Sequence, residues 1–363
     1  MKHQAPDFND VEVTLIGTGG GYGETIILKI GLSKWIIIDS CINPHTREPI
    51  ALEYLESINV DLGNVILIIC THWHNDHIKG LSRLLIKCPN TDFCFSAVND
   101  LDKFLLLCEL DNTKASKGSK SSTGEFSKCL EIINQRERFF IRAQCDLLLE
   151  KLQENNCCFE LFALSPSPRT LKNFDSEISE LITKFGTRNT AIIKRSPNEK
   201  SVALLLRFNQ HRVILGADLE IGRNVDEGWQ HIIHQSKIID RYRANLYKIP
   251  HHGSENGYSE DIFSKLVDKN SILKITPFKS SRIPTSEMLY KYSQHSPHIY
   301  LTSPIDISKK AKKRDRTISK IIDRTTLNIS EIKFSQGIVR SRLNYLNPKA
   351  VWSTEVFEAG FKL

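Results

Sequence analysis

Long apolar runs, a signal-like start and paired cysteine motifs are missing from this sequence. Since no apolar run reaches about 18 residues, we expect no membrane-spanning helix. The nine cysteines are scattered without CxxC spacing. Their odd number and the start of the chain favour a reducing, cytoplasmic location. The basic runs are not interleaved with aromatic residues, so stacking on single-stranded nucleic acid is not indicated.

What remains is the composition of a globular protein. The 363 residues are 40% hydrophobic and 25% charged, which is enough for a sizeable core. Length alone allows about two domains. The net charge of +7 and the pI of about 8.8 favour anionic substrates only weakly.

A dense cluster of histidines follows an apolar run near the start of the chain. Residues 65–70 (VILIIC) are short, apolar and β-branched, which predicts a strand buried on both faces. Residues 71–77 (THWHNDH) follow directly and carry the imidazole and carboxylate ligands that suit Zn²⁺, Fe or Mn²⁺. His72 and His74 can point the same way from an extended segment, whereas the pair at 76–77 can face a second ion. The alternative is a polar surface loop that is rich in histidine.

A glycine-rich segment follows the first predicted strand, residues 11–16. Residues 17–24 (GTGGGYGE) contain five glycines, which allow positive φ and close approach of the backbone. Two interpretations are open, a cradle for phosphate or a tight turn beside the metal site, and the turn is favoured. Because no Lys-Ser or Lys-Thr pair follows the glycines, the segment is not a P-loop.

Two further segments place polar chemistry at the ends of predicted strands. A predicted hairpin over residues 201–215 ends in Gly216, Ala217 and Asp218, where the small residues leave room beside the carboxylate. Taken alone, Asp218 would suit a helix cap as well as a metal ligand. The next predicted strand, residues 245–249, runs into the sequence KIPHHGS at residues 248–254. With the histidine cluster upstream and this run downstream, the ligand interpretation of the carboxylate is favoured.

In this order, the motifs resemble the metallo-β-lactamase superfamily. The HxHxDH signature of that superfamily matches residues 72–77, and KIPHHGS resembles the KxxHHGS motif of its ComEC-like branch. The GYGE segment and the strand that ends in DSC at residues 39–41 also look like stand-alone members from bacterial defence loci. The resemblance spans roughly residues 11–360. It implies an α/β fold, a four-layer αββα sandwich with a helical insertion.

The resemblance also implies a cofactor and its ligands. It implies two divalent metal ions, Zn or Mn, held by neutral imidazoles and carboxylates. The implied ligands are His72 and His74 for the first ion, Asp76, His77 and His252 for the second, and Asp218 as the bridge between them.

Other residues of the motifs are implied to act on the substrate or to support the ligands. His251 is implied to contact the substrate or to act as an acid, although it could exchange roles with His252. Lys248 and Ser254 are implied anion contacts. Asp39 is implied to brace the metal loop by hydrogen bonds, since such carboxylates fix the orientation of imidazole ligands. The implied catalytic residues are Asp76, His251 and Lys248.

One ligand of the family pattern is missing. Many members carry a further metal-binding histidine between the first motif and the bridging aspartate, and in that interval the chain has only His211. This histidine is next to the tip of the predicted hairpin, so a solvated turn is its expected position. The first ion would then have only His72, His74 and Asp218, which predicts a weak first site.

We predict a single metallo-β-lactamase-fold domain over residues 1–363, with residues 99–155 as a helical insertion. Within the insertion, residues 111–124 (DNTKASKGSKSSTG) are typical of a mobile loop. Residues 125–153 predict one long amphipathic helix. The sharpest basic run, residues 309–316, is either a solvated helix face or a patch for nucleic acid.

The expected function is metal-dependent hydrolysis, with a phosphodiesterase or nuclease as the leading hypothesis. Two ions would lower the pKa of a bridging water to about 7, and the resulting hydroxide would attack phosphorus. The expected partners are a nucleic acid or another phosphodiester substrate and, in a defence locus, a signalling NTPase. The alternatives are a hydrolase of a small ester, lactone or thioester, which a narrow apolar pocket would favour, and a partner-gated effector subunit of an antiviral system.

Overall fold

A computed structural model describes residues 3–18, 23–98, 103–106, 122–136, 138–183, 197–279, 281–305 and 336–363. Within them, two eight-stranded sheets contain all the named strands. In chain order these are β1 (Asp10–Gly17), β2 (Glu24–Ile30), β3 (Lys34–Ile38), β4 (Val65–Cys70), β5 (Asp92–Ser96), β6 (Phe140–Ala143), β7 (Leu147–Glu154), β8 (Cys157–Ala163), β9 (Leu204–Phe208), β10 (His211–Leu215), β11 (Ala244–Lys248), β12 (Val267–Ile275), β13 (Ile299–Leu301), β14 (Gly337–Asn344), β15 (Ser353–Glu358) and β16 (Phe361–Lys362).

Each sheet combines an antiparallel and a parallel part. The first sheet has the order β15-β14-β1-β2-β3-β4-β5-β6, and the pairing is antiparallel up to β3 and parallel from β3 to β6. The second sheet has the order β16-β13-β12-β11-β10-β9-β8-β7, and its strands β10 to β13 run parallel. In both sheets the parallel strands end at an edge where loops can gather.

Helices connect the strands and cover the outer faces of the sheets. They are α1 (Ile50–Ser57), α2 (Asn75–Ile78), α3 (Leu81–Lys87), α4 (residues 103–106), α5 (Ser122–Gln135), α6 (Pro168–Thr183), α7 (Gly228–Gln235), α8 (Glu260–Lys265) and α9 (Ser286–Ser293).

Period-two patterning divides the core into layers. Along β3, Trp35 and Ile37 pack towards the helices, whereas Ile36 and Ile38 face the other sheet. One apolar cluster lies between α1, α3, α5, α6 and the first sheet, a second between the two sheets, and a third between the second sheet and α7, α8 and α9. The predicted αββα sandwich is therefore confirmed. The single domain stays a prediction.

The long helix predicted over residues 125–153 is wrong. Helix α5 ends at Gln135, and the following residues form β6 and β7, one outer strand of each sheet. Strand β7 is made of residues that favour helices, LLLEKLQE. Pairing with β8 overrides that local preference. The insertion of residues 99–155 is therefore helical only in part among its described residues.

Several sequence predictions fall on segments outside the described residues. These are most of the loop at residues 111–124, of which residues 122–124 already belong to α5, and the whole basic run at residues 309–316. Among the helices that are described, none combines the length and the apolar character needed to cross a membrane. The eight described cysteines are free thiols, and six of them are buried.

Candidate metal centre

The candidate site forms where parallel strands of both sheets end. In the first sheet, β3 is followed by Asp39, and β4 is followed by the histidine-rich segment at residues 71–77. In the second sheet, β10 leads to Asp218 and β11 leads to His252. The carboxyl ends of parallel strands are the usual position of ligand sites in such sheets.

Three donors form what we call the first cluster, His72, His74 and Asp218. The atoms His72 Nε2 and His74 Nδ1 lie 3.1 Å apart, and His72 Nε2 lies 3.7 Å from Asp218 Oδ2. Two of these donors come from the loop after β4 and one from the loop after β10, so the cluster needs both sheets.

The second cluster consists of Asp76, His77 and His252. Nε2 of His252 lies 3.5 Å from Asp76 Oδ2, and Nε2 of His77 lies 3.8 Å from the same oxygen. Asp218 Oδ2 is also close to this cluster, 3.4 Å from His77 Nε2 and 3.6 Å from His252 Nε2. A single carboxylate oxygen of Asp218 is therefore shared by the two clusters, as a bridging ligand would be.

Hydrogen bonds on the far side of the rings orient three of the imidazoles. His77 Nδ1 lies 2.8 Å from Asp39 Oδ2, and His252 Nδ1 lies 3.0 Å from the carbonyl oxygen of Thr276. His72 Nδ1 lies 3.0 Å from the hydroxyl of Thr71. In each ring this leaves Nε2 for the clusters, which is the arrangement found around metal-binding histidines.

Asp39 contributes more than one of these bonds. Its two oxygens also accept hydrogen bonds from the backbone N–H and the hydroxyl of Thr71, both at 2.7 Å. Asp39 itself is buried and adopts a left-handed backbone with φ of 60°. The structure thus places the carboxylate against the metal loop, in contact with one cluster donor and with the residue before another.

The pKa shifts within the clusters show that their buried carboxylates call for positive charge beside them. Burial opposes ionisation of Asp218, yet His77 and His252 hold its pKa well below the ordinary value. Burial likewise opposes protonation of His77, but Asp218, Asp76 and Asp39 raise its pKa well above the ordinary value. In His72, burial wins and lowers the pKa, with His77 adding to the effect. Burial opposes protonation of His252 too, but Asp218 and Asp76 raise its pKa above the ordinary value.

The residues fit two divalent cations. His77 Nε2 and Asp218 Oδ1 are buried and have no hydrogen-bond partner among the described residues. Buried polar atoms without partners are rare and ask for a ligand, a water or an ion. Imidazole and carboxylate are donors for Zn²⁺ and for Mn²⁺, so the donor set favours a transition metal without choosing between them.

His251 lies beside the clusters and belongs to neither. Its Nε2 lies 3.0 Å from Asn198 Nδ2, and its Nδ1 lies 3.7 Å from Glu220 Oε1. Burial lowers the pKa of His251, which keeps the ring neutral. Of the two adjacent histidines, the structure therefore brings His252 to the donors and leaves His251 next to them.

The segment that carries both histidines has an unusual backbone. His251, His252 and Gly253 are three consecutive residues with positive φ, at 48°, 55° and 76°. For residues with a Cβ this conformation costs roughly 1–2 kcal/mol each. Such strain persists where the surroundings fix it, and it clusters at functional sites.

The two predicted anion contacts have different surroundings in this structure. Lys248 is fully buried, and its Nζ forms an ion pair with Glu24 and donates to the carbonyl oxygen of Ala217 at 3.0 Å. Ser254 is buried too, but its hydroxyl has no hydrogen-bond partner among the described residues, so its contact with an anion stays a prediction. The resemblance implied both contacts, and residue type alone does not reveal burial or the partner of Lys248.

The missing family histidine has no substitute among the described donors. His211 is the first residue of β10, is buried, and lies 2.8 Å from Asn245 Nδ2, so the solvated turn predicted for it is wrong. In the interval where the family histidine would lie, Ser201 contacts the first cluster. Its hydroxyl lies 3.3 Å from His72 Nδ1 and accepts a hydrogen bond from the backbone N–H of Asp218 at 3.1 Å.

The described end of the glycine-rich segment packs directly on the metal loop. Gly23 has φ of 118°, and a Cβ at this position would lie only 1.9 Å from the carbonyl oxygen of Asp76. Thr18 and Gly23 close the segment with a backbone hydrogen bond of 3.1 Å. Residues 19–22 lie outside the described residues, so the choice between a turn and a phosphate cradle stays a prediction.

Four residues of the site were not singled out from the sequence. They are Glu24, Asn198, Ser201 and Glu220. Glu24 could have been noticed as the charged residue that opens a buried strand, and Glu220 as the second carboxylate after Asp218. The contacts of Asn198 and Ser201 depend on the packing of one sheet against the other, and no local pattern marks them.

A cavity of about 600 Å³ lies next to the site. Glu220, which contacts His251, is part of its wall. The charged side chains of the lining are mostly acidic: Glu177, Glu180, Glu199, Glu220, Glu227 and Glu255 against Lys200 and Arg223. The cavity is therefore polar and acidic, unlike the narrow apolar pocket that would favour a small ester.

Comparison with known proteins matches the metallo-beta-lactamase superfamily model to residues 15–99. This segment contains the glycine-rich segment, Asp39 and the loop after β4. The match covers less than a quarter of the chain, and in this part the chain is similar to the metallo-beta-lactamase superfamily.

Among curated proteins, the chain is similar to cleavage and polyadenylation specificity factor subunit 3 of Dictyostelium discoideum. The two are 23% identical over 154 residues, which is 42% of this chain and 18% of the relative, so the chain spans about a fifth of that protein.

Two similar solved structures are the hydrolase AbOPH of the beta-lactamase superfamily and the short form of human tRNase Z. AbOPH is 17% identical with a TM-score of 0.32, over 54% of this chain and 55% of its own. The tRNase is 13% identical with a TM-score of 0.32, over 65% and 76%.

Proposed function

We propose that the chain is a metal-dependent phosphodiesterase, with nucleic acid as its substrate. The observation that carries the proposal is the position of Asp218 Oδ2, which lies within 3.7 Å of His72, His77 and His252. Enzymes that cleave phosphodiesters often use two ions about 3.5–4 Å apart, and one shared carboxylate oxygen suits that spacing. The donors of the two clusters would hold the ions.

When bound, such ions act as Lewis acids and lower the pKa of water at the site. The chain's own residues have separate tasks around them. Asp39 and Thr71 fix the ring of His77 and the start of the loop, so the donors keep their geometry when the site is filled. Asp76 is the more accessible of the two cluster carboxylates, with a side chain 18% exposed against 4% for Asp218, and would face the attacked group.

His251 would donate its N–H to an oxygen of the phosphoryl group. The neutral ring suits a hydrogen-bond donor to charge that develops during the reaction. Asn198 and Glu220 contact its two nitrogens and would hold the ring in place until the substrate arrives. Bonds of this kind are often long in the free enzyme and tighten in the complex.

Other observations are compatible with nucleic acid. The net charge is +7, and one curated relative is a cleavage factor by its name. The run at residues 309–316 is the proposed outer contact for phosphates. A ComEC-like specificity, a place in antiviral defence, an NTPase partner and a cytoplasmic location remain predictions from the sequence.

A small ester, lactone or thioester is the second candidate. Only the volume of the cavity beside His251 supports it, because about 600 Å³ lies within the range of small-molecule sites, whereas the lining is not the apolar one that a small ester would favour. Its acidic lining would repel a polyanion and would favour a neutral or cationic group. If the substrate is a nucleic acid, its backbone must therefore approach the clusters without entering this cavity.

The test compares substrate classes on one preparation. Protein loaded with Mn²⁺ or Zn²⁺ is assayed on labelled DNA, labelled RNA, a bis-aryl phosphodiester and an aryl carboxylic ester. Phosphodiester cleavage is expected. Metal content is measured in parallel for wild type and for the double variant His72→Ala, His74→Ala, which should lose about one equivalent per chain because the first cluster keeps only Asp218.

Two outcomes would contradict the proposal. Unchanged metal content in the double variant would remove the assigned site. Turnover of the carboxylic ester alone would favour the second candidate.

Binding of a long oligonucleotide at several salt concentrations adds an independent measure, because each phosphate contacted by a lysine or arginine steepens the loss of affinity with salt. A flat response would exclude the nucleic acid.

A further inference from the structure

The buried pair formed by Glu24 and Lys248 has no role in the chemistry described so far. Glu24 opens β2 in the first sheet, and Lys248 ends β11 in the second sheet. Their side chains are 2% and 1% exposed, and they form an ion pair across the sandwich. Placing two charges in the interior is unfavourable because both lose their hydration, and their attraction offsets this only with good geometry. Such a pair is therefore weak evidence for stability and calls for another explanation.

Lys248 holds the turn that presents Asp218. Its Nζ donates to the carbonyl oxygen of Ala217 at 3.0 Å, and its own carbonyl oxygen accepts from the backbone N–H of Gly216 at 3.0 Å. Ala217 has φ of 45°, a conformation that residues with a Cβ rarely adopt. The lysine thus contacts the turn from both its backbone and its side chain, immediately before the shared carboxylate.

Glu24 reaches the same carboxylate from the other sheet. One of its carboxylate oxygens lies within 4.8 Å of a ring nitrogen of His77 and of an oxygen of Asp218. Its Oε2 is buried and has no hydrogen-bond partner among the described residues. This oxygen is an independent sign that the pair faces a ligand site.

We propose that Glu24 and Lys248 are positioning residues that fix Asp218 between the two clusters. The ion pair sets where the lysine ammonium lies, and the ammonium sets the turn through the Ala217 carbonyl. Because the pair is neutral as a unit, it orients the shared carboxylate without adding net negative charge beside it. The inference rests on the metal centre of the proposed function and concerns neither substrate nor product.

The neighbouring strand supplies a matched control. Lys274 of β12 is paired in register with Lys248 and is equally buried. Its Nζ also crosses the sandwich, but it donates to the carbonyl oxygens of Val13 and Val339 at 2.6 and 3.0 Å. Replacing it removes a buried lysine of the same sheet without touching the turn at residues 216–218.

The test uses Co²⁺ as the probe on metal-free protein, with its visible absorption spectrum and its affinity as readouts. The double variant Glu24→Gln, Lys248→Met leaves no unpaired buried charge, so it should fold. We expect it to bind Co²⁺ about ten times more weakly, in line with losses of residues that support ligands, and with a changed spectrum. Lys274→Met should lower the melting temperature and keep the affinity and the spectrum of the wild type.

Three results would overturn the inference. One is a double variant with wild-type affinity and spectrum. Another is an equal loss of affinity in Lys274→Met, which would assign the effect to packing. The last is a loss in Glu24→Gln without any in Lys248→Met, which would make Glu24 a direct ligand. Absence of Co²⁺ binding in the wild type would instead remove the proposed function as well, whereas binding without phosphodiester cleavage would leave the inference intact.

Discussion

The two sheets contribute to the metal centre in different ways. The carboxyl edge of the first sheet supplies His72, His74, Asp76 and His77 from one continuous loop after β4. The corresponding edge of the second sheet supplies two isolated donors, Asp218 after β10 and His252 after β11. The first edge therefore provides the bulk of the donors, and the second edge determines how the clusters are joined.

Around the site, three residues with a Cβ and a positive φ lie at the second edge, against one, Asp39, at the first edge. Ala217, His251 and His252 all have positive φ and a Cβ, whereas the four donors at the first edge follow an extended segment and a short helix with none of this strain. The comparison indicates that a local motif can place its ligands without backbone strain in the ligands themselves. A donor that must reach across from another strand needs support from its surroundings, which here includes Lys248 and Ser201.

The largest effect should come from the residue that joins the edges. Asp218→Ala removes the shared oxygen from both clusters, and we expect turnover of the wild-type substrate to fall about 10³-fold, as for the loss of a strong transition-state contact. Metal content measured on the same preparation should fall as well. Asp226→Ala, an exposed carboxylate further along the same loop, is the control and should keep both. A variant at 218 with most of the wild-type activity would refute the bridging role.

Loss of one donor at the first edge should lower turnover less than loss of Asp218. Asp76→Asn keeps the size of the side chain and affects only the second cluster, so we expect turnover to fall about 10²-fold with the thermal transition unchanged. The adjacent exposed Asn75 offers a control in Asn75→Ala. If Asp76→Asn were as damaging as Asp218→Ala, the two edges would not differ in the way described.

Weakening the hydrogen bonds that support the first edge should have a smaller effect on the site. Asp39→Asn weakens the contacts to His77 and Thr71, and we expect affinity for Zn²⁺ to fall about tenfold, the lower end of the range for residues behind metal ligands. Competition with a chromophoric chelator measures this. Wild-type affinity in a folded variant would show that the imidazole is held by other contacts.

The smallest effect concerns strain at the second edge. Ala217→Gly removes a left-handed alanine, which relieves roughly 1–2 kcal/mol, but glycine costs about 0.5–1 kcal/mol of chain entropy. The free energy of unfolding should therefore rise by between about 0 and 1.5 kcal/mol. Ala163→Gly in β8, where the alanine is buried in a regular strand, should destabilise. Equal destabilisation of both variants in urea unfolding would mean that the turn is not strained.

Much of this organisation was predictable from the sequence because it is local. The run at residues 65–70 is apolar on both faces, so its burial and the position of the following motif could be predicted. Asp218 and the histidine pair could be found because they too follow apolar strands in the right order. The residues predicted as ligands all lie in the two clusters, although their binding of metal stays a prediction.

The failures have a common physical cause. The sequence shows Lys248 as a lysine within a motif, but it does not show the partner, Glu24, that occupies its ammonium group across the sandwich. Residues 147–154 were taken as helix because their composition favours one, and only the pairing with β8 decides otherwise. Glu24 and Ser201 act between the sheets, so no pattern within a single strand could have shown their contacts.

Each cluster takes donors from both sheets. A bound ion would therefore also affect where local unfolding of the sandwich begins. An ion held by His77 and Asp218 would be a cross-link at one end of the sandwich, closing the long stretch of chain between them. The entropy removed from the unfolded chain by such a closure grows only slowly with its length. Without the cross-link, the ends of β4 and β10 are the places where local opening would begin, and their amide protons would exchange with solvent before those in the middle of either sheet.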